Sequence, residues 1–149
     1  MTRGYLLDTS VISTVAPGRP PITDAEAGWL RQQADRLYIP TIAIAEIEAG
    51  IRKLHRSGGT ARAEHLAAWL DGLIAGYGDR ILAFDADTAR VAGRLADAAI
   101  AAGRHPGFAD VAIAAIATAR DLTLLTRNLR HFEPLGIPAA DPFAALPDH

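Results

Sequence analysis

The stretch that decides the fold is YLLDTSVIS, residues 5 to 13, where an apolar run meets one carboxylate, Asp8, and two hydroxyls. Tyr5, Leu6 and Leu7 predict a short buried strand, and the Asp-Thr-Ser that follows is typical of a strand end or of a helix cap. Asp8 therefore has two interpretations, a capping residue or a functional carboxylate at the carboxyl end of a strand. The choice depends on which other residues meet it.

Outward from this stretch, short strand-like runs alternate with longer helical segments, which is an α/β pattern. Strands are predicted over 5–7, 36–40, 80–84, 122–126 and within the tail, and helices over 23–35, 41–56, 61–76, 86–102 and 108–121. Thr23 with Glu26 forms a capping box for the first long helix, and Thr41 is expected to cap the second. Because parallel neighbours need long crossovers, we predict an α/β fold: a three-layer α/β/α sandwich with a mainly parallel sheet of about five strands, in one domain over residues 1–149.

The composition excludes several classes of function. The 149 residues contain no cysteine, which removes disulfides, thiol catalysis and cysteine-bound zinc. No apolar run is long enough to cross a membrane and no secretion signal is visible, so we expect a cytoplasmic protein with no membrane partner. The formal charge is −2, so any nucleic acid contact must come from local basic patches.

Two further acids lie in unusually apolar surroundings. Glu46 lies in TIAIAEIEAG and Asp110 in GFADVAIAAIA, each near the start of a predicted helix. Taken singly, Glu46 is consistent with a solvent-facing residue and Asp110 with a first-turn acid favoured by the helix dipole. Together with Asp8, they are expected at one edge of the sheet, where ligands of parallel α/β folds bind.

Three carboxylates at one sheet edge repel each other unless a cation joins them. Oxygen ligands without cysteine, and without a histidine pair at metal-ligand spacing, suit Mg²⁺ or Mn²⁺. Such a site fits metal-dependent hydrolysis of a phosphodiester. Basic residues around its expected mouth are candidates for contacts with flanking phosphates, although each is also consistent with an ordinary solvated surface. They are Arg52, Lys53, Arg56, Arg127 and Arg130.

Four ordered segments carry a resemblance to a known family. YLLDTSVIS (5 to 13), IPTIAIAEIEAGI (39 to 51), FADVAIAAIA (108 to 117) and LTLLTRNLRHF (122 to 132) resemble the motifs of PIN-domain ribonucleases, specifically the VapC toxins of bacterial toxin–antitoxin pairs. The resemblance covers essentially the whole chain. It implies a PIN-like fold and Mg²⁺- or Mn²⁺-dependent endonucleolytic cleavage of RNA. It further implies a homodimer and a VapB-like antitoxin that occupies the active site.

The resemblance also implies roles for individual residues. Asp8, Glu46 and Asp110 would hold the metal, with Asp8 and Asp110 as principal ligands and Glu46 as ligand or water-orienting base. The hydroxyls of Ser10 and Thr126 would line or brace the site. Many relatives place a fourth acid where Asn128 or His131 stands in this chain. Asn128 is therefore a further candidate ligand, and because it is neutral it lowers by one the negative charge available to hold a second metal.

Three rival interpretations remain. ILAFDADT (81 to 88) matches the start of a haloacid dehalogenase-type phosphatase, with Asp85 as nucleophile and Asp87 as acid, but the single lysine, Lys53, lies upstream. We favour Asp85 as a helix cap. A receiver-like phosphoacceptor would need an adjacent acidic pair near the first strand and a late lysine. The non-enzymatic alternative is a catalytically weakened PIN-like module that binds RNA.

Overall fold

The computed structural model describes residues 3–148 and contains five short strands linked by helices. The strands are β1 Tyr5–Leu7, β2 Leu37–Pro40, β3 Ile81–Leu82, β4 Thr123–Leu125 and β5 Ala139–Ala140. The α-helices are α1 Thr9–Thr14, α2 Asp24–Gln32, α3 Thr41–Arg56, α4 Thr60–Tyr77, α5 Ala86–Ala101, α6 Phe108–Ala119 and α7 Leu129–Phe132. Three 3-10 turns, Ala34–Arg36, Gly78–Arg80 and Glu133–Leu135, complete the element order.

The strands form a single parallel sheet in the order β3-β2-β1-β4-β5. β1 lies at its centre, and Leu7 pairs in register with Leu125 of β4. The first strand of the chain therefore lies between β2 and β4, and the residues that follow β1 and β4 share the same edge of the sheet.

Helices cover both faces of the sheet, so the predicted three-layer α/β/α sandwich is confirmed. Alternation along β1 divides the core: Leu6 packs with residues of α5 and α6, whereas Tyr5 and Leu7 pack with residues of α1, α3 and α4. A central strand that is buried on both faces has apolar residues at every position, and the continuous apolar run YLL predicted a strand for this reason.

Helix α6 is the most buried helix of the structure. Residues 111–117 are all buried between α5 and the sheet. Asp110 lies immediately before this run, in the first turn of α6. The apolar sequence around Asp110 is therefore a buried helix that begins beside the carboxyl edge of the sheet.

Three local predictions were wrong in detail. Thr41 does not cap α3, because β2 runs directly into the helix and Pro40 occupies the N-cap position with an extended backbone. Helix α2 ends at Gln32 and a 3-10 turn follows, so it is shorter than the predicted 23–35. The strand predicted over 80–84 pairs only at Ile81–Leu82, since β3 is an edge strand with one neighbour. Among residues 3–148, no helix has both the length and the apolar character that a membrane crossing requires.

Candidate active site

Asp8 is a buried carboxylate held by two hydroxyl groups. The residue is only 5% exposed, and its Oδ2 accepts hydrogen bonds from Ser10 Oγ at 2.7 Å and from Thr126 Oγ1 at 2.8 Å. Between the described residues, no hydrogen bond reaches Oδ1. Asp8 occupies the N-cap position of α1, yet its side chain makes no capping hydrogen bond. The capping interpretation therefore does not account for this carboxylate.

The hydroxyls that hold Asp8 are themselves fixed by the segment after β4. Thr126 is fully buried, and its Oγ1 accepts a hydrogen bond from the backbone N–H of Asn128 at 2.9 Å. Ser10 Oγ accepts one from the backbone N–H of Arg127 at 3.0 Å. The predicted neighbours Ser10 and Thr126 thus tie the start of α1 to the end of β4 around one carboxylate.

Glu46 lies in the second turn of α3, on the other side of the same edge. Its Oε1 accepts a hydrogen bond from Thr9 Oγ1 at 2.6 Å. Sequence reasoning missed Thr9, although its hydroxyl lies in the same Asp-Thr-Ser segment that pointed to Ser10. Consecutive residues of α1 therefore position two acids, with Thr9 holding Glu46 and Ser10 holding Asp8.

The third acid, Asp110, is half-buried and lies in the electrostatic field of the other two. Burial raises the pKa of the Asp110 carboxyl, the nearby His131 opposes that rise, and the negative charges of Asp8 and Glu46 add to it. The His131 Nδ1 atom lies 3.5 Å from Asp110 Oδ2. The pKa remains raised because burial outweighs the attraction of His131.

The donor set fits a hard divalent cation, although the side chains do not form a close metal cluster. Within residues 3–148, no three His, Cys, Asp or Glu side chains are grouped tightly enough to hold one ion between them. Asp8 nevertheless keeps Oδ1 free of hydrogen bonds from the described residues, and the charges of Asp8 and Glu46 add to the rise that burial causes in the pKa of Asp110. Mg²⁺ commonly retains several waters and binds through one or two carboxylates, which suits oxygen ligands spaced more widely than in a closed cage.

The two positions at which a fourth acid was expected behave differently. The Asn128 side chain is exposed and makes no capping hydrogen bond, although Asn128 holds the N-cap position of α7. His131 is the residue that faces Asp110. The structure thus places a basic group where an additional metal-binding acid would contact Asp110.

The basic candidates fall into two groups. Arg52, Lys53 and Arg56 are exposed in the last turns of α3, about 9 to 15 Å along the helix axis from Glu46 at 1.5 Å per residue. Arg52 also lies 3.6 Å from Glu48. The structure does not bring this group to the carboxylates.

Arg127 and Arg130 lie closer to the site. Arg127 donates a hydrogen bond to Thr14 Oγ1 at 3.2 Å and stacks over the ring of Phe143. Arg130 lines an open cavity that also contains Asp110. Arg127 is therefore a structural link between α1 and the segment after β4, whereas Arg130 faces the site with a free side chain.

The structure also accounts for the phosphatase-like motif. Asp85 is the N-cap of α5, and its side chain accepts a hydrogen bond from the backbone N–H of Thr88 at 2.9 Å. This bond lowers the pKa of the Asp85 carboxyl, as expected for a capping aspartate. The motif follows the edge strand β3, away from the central strand that carries Asp8. Asp85 is a helix cap.

An apolar cavity of about 430 Å³ lies between α1, α2 and α4, lined by side chains such as Val11, Leu30 and Leu73. None of the three carboxylates lines it. Cavity size alone therefore does not locate the charged site.

Comparison with known proteins identifies the family of this chain. Residues 5–135 match the PIN domain. The chain is 34% identical to the plasmid stability protein StbB of Pseudomonas syringae pv. tomato, over 94% of this chain and 99% of that protein. It is 30% identical to the VapC ribonuclease Y4jK of Sinorhizobium fredii, over 93% of this chain and 96% of the relative. It is 31% identical to the toxin FitB of Neisseria gonorrhoeae, over 93% of this chain and 97% of that protein.

Solved structures give the same result. The crystal structure of FitAcB from Neisseria gonorrhoeae superposes with a TM-score of 0.79 at 28% identity, over 93% of this chain and 97% of that chain. The DNA-bound VapBC structure from Salmonella typhimurium superposes with a TM-score of 0.78 at 25% identity, with the same coverage. The chain therefore belongs to the PIN-domain family that contains the VapC and FitB toxins.

Proposed function

We propose that this protein is a Mg²⁺- or Mn²⁺-dependent endoribonuclease and acts as the toxin of a VapBC-type pair. The observation that carries the proposal is the fixed carboxylate of Asp8, whose Oδ2 is held by two hydroxyls. Asp110 beside it has a pKa raised by burial and by the charges of Asp8 and Glu46. A bound cation would offset both the burial of the Asp110 carboxylate and its repulsion by Asp8 and Glu46.

Asp8, Glu46 and Asp110 would hold the metal, with Asn128, whose backbone N–H bonds to Thr126, as a further candidate ligand. When bound, the cation would neutralise the phosphodiester and lower the pKa of an attacking water. Asp8 contributes a rigid oxygen, because Ser10 and Thr126 fix its carboxylate. Glu46 is oriented by Thr9 through one carboxylate oxygen, which leaves the other to bind the cation or to orient the water.

Several partners belong to this proposal. VapBC and FitAB relatives were solved as complexes, three of them with DNA. By analogy, this chain would form a homodimer, bind a small VapB-like antitoxin that blocks its active site, and act on RNA in the cytoplasm as a single domain. His131 stands at one of the positions where many relatives have a fourth acid. The alternative is therefore a PIN-like module that binds RNA without cleaving it.

The test is cleavage of purified cellular RNA by the isolated chain, with Mg²⁺ or Mn²⁺ and with a chelator. We expect discrete new RNA ends only with metal, and a loss of more than about 100-fold in rate for Asp8→Asn and Asp110→Asn. Asp97→Asn, an exposed acid on α5, is the matched control and should cleave normally.

Two outcomes decide between the interpretations. Cleavage that persists in chelator or in Asp110→Asn would refute the metal mechanism. RNA binding without metal-dependent cleavage would instead favour the non-catalytic module.

A further inference from the structure

A cavity lined by basic side chains opens on one side of Asp110. Its volume is about 380 Å³, and it lies between the α5–α6 loop and α7. Arg104 and His105 line it from the loop, and Arg130 and His131 line it from α7. Four basic residues thus surround a space in which Asp110 is the only acid.

The guanidinium groups of the two arginines that line this cavity are unpaired among residues 3–148. Arg104 and Arg130 are exposed, and neither guanidinium forms an ion pair or a hydrogen bond with any of residues 3–148. Arg52 and Arg127, by contrast, contact Glu48 and Thr14. The positive charge of Arg104 and Arg130 is therefore available to a ligand.

The loop that presents Arg104 has a defined backbone. Helix α5 ends in a Schellman motif: the N–H of Gly103, at φ +78°, bonds to the carbonyl of Ile100 at 2.9 Å, and the N–H of Arg104 bonds to that of Ala99 at 2.8 Å. Pro106 then restricts His105 to an extended backbone. Arg104 and His105 consequently start from fixed backbone positions, which reduces the entropy lost when they bind a ligand.

We propose that this cavity is a subsite for a backbone phosphate of single-stranded RNA, next to the phosphate that is cleaved. The assignment rests on the proposed nuclease function, since it takes RNA as the ligand. Asp110 belongs both to the carboxylate group and to the lining of the cavity, so a strand whose scissile phosphate lies at the acids passes directly over Arg104 and Arg130. Arginine suits this task because its planar fork binds phosphate oxygens in pairs.

The test measures how RNA binding depends on salt. A fluorescent 12-nucleotide single-stranded RNA is titrated with the full chain carrying Asp8→Asn, which by the proposed function binds RNA without cleaving it. Each lost phosphate contact lowers the slope of log Kobs against log salt by about 0.7. We expect that reduction for Arg104→Ala and for Arg130→Ala, and no reduction for Arg94→Ala, an exposed arginine of α5 outside the cavity.

Arg104→Lys separates charge from packing. It keeps the cation and should retain the wild-type slope, whereas a purely structural role of the guanidinium would make it resemble Arg104→Ala. Equal salt slopes for Arg104→Ala, Arg130→Ala and Arg94→Ala would overturn the subsite. That conclusion would hold whether or not Arg104 contacts a protein partner. Failure of the wild-type chain to cleave RNA would refute the nuclease proposal separately, because the salt slope needs no cleavage.

Discussion

At the scale of single residues, the site depends on hydroxyl groups as much as on acids. Thr126 Oγ1 donates to Asp8 and also accepts from the N–H of Asn128, all in a fully buried position. This hydroxyl satisfies a buried charge and a buried amide at once. An apolar side chain of the same shape would leave both without that hydrogen bond.

Thr126→Val is expected to lower the free energy of unfolding by about 1–3 kcal/mol, because it leaves the Asp8 carboxylate with one hydroxyl partner. Metal affinity or cleavage rate should fall about 10- to 100-fold. Urea denaturation and calorimetric metal titration measure the two effects. Thr118→Val is the control, since Thr118 is exposed and bonds only to its own helix, so its cost should stay within about 0.5 kcal/mol. Equal costs for the two variants would refute this account of Thr126.

Asp110 gives a prediction about pH. Its pKa in the folded protein is raised above the ordinary value of 3.8, so the folded state binds the proton more tightly than the unfolded state does. The metal-free protein therefore loses stability as pH rises from the ordinary pKa through the folded pKa. Asp110→Asn should be more stable than the wild type at pH 7 in chelator, and this gain should vanish below the ordinary pKa of aspartate.

Denaturation in urea at several pH values measures this difference. Asp97→Asn, the exposed control acid, should show no comparable gain at neutral pH. A gain for Asp110→Asn that grows as the pH falls would have the opposite sign and contradict the predicted linkage.

At the scale of elements, α5 offers two glycines with opposite requirements. Gly103 adopts φ +78° at the helix end, whereas Gly93 lies in the helix interior, and a Cβ added at either would meet nothing within 4 Å. We expect Gly103→Ala to cost about 1–2 kcal/mol through backbone strain. Gly93→Ala should stabilise by about 0.5–1 kcal/mol through helix propensity. Urea denaturation of both variants tests the pair, and a stabilising Gly103→Ala would exclude the Schellman geometry.

The elements most readily predicted from the sequence were those with strong local patterns. YLL and LTLLT contain strands buried on both faces, and the apolar run after Asp110 is a buried helix. The apolar composition of these segments is therefore enough to predict that they are buried. Boundaries were less predictable. Thr41 is a preferred capping residue, yet the strand before it leads into the helix without a loop, which the local sequence does not reveal.

At the scale of the site, parallel strands share one edge, which placed Asp8 and Thr126 at the same end of the sheet. The roles of the Ser10 and Thr126 hydroxyls were predicted from the resemblance to PIN-domain ribonucleases, and both hydroxyls do bond to Asp8. The pairing of Thr9 with Glu46 and of His131 with Asp110 was not predictable in the same way. Each depends on the angle between two helices, and several side chains on each helix satisfy the same sequence pattern. Arg104 was missed because the sequence does not show that the α5–α6 loop lies beside α7.

At the scale of the whole molecule, metal binding should stabilise the fold. A ligand that binds only the folded state adds about 2.7 kcal/mol at a concentration 100 times its Kd. We expect Mg²⁺ or Mn²⁺ to raise the Tm of the wild type in a concentration-dependent way. Asp8→Asn should respond much less, and Asp97→Asn should respond as the wild type does. A Tm that is equally insensitive to metal in all three proteins would argue against a site built on Asp8.

The central position of β1 has a consequence for the order in which the protein is made. Its first strand is synthesised early but pairs with β4, more than a hundred residues later, and Asp8 meets Thr126 only when that strand arrives. Glu46 and Asp110 likewise come from separate stretches of the chain. A nascent chain on the ribosome therefore cannot assemble the carboxylate group until β4 has emerged, so the three acids meet only when synthesis of these 149 residues is nearly finished.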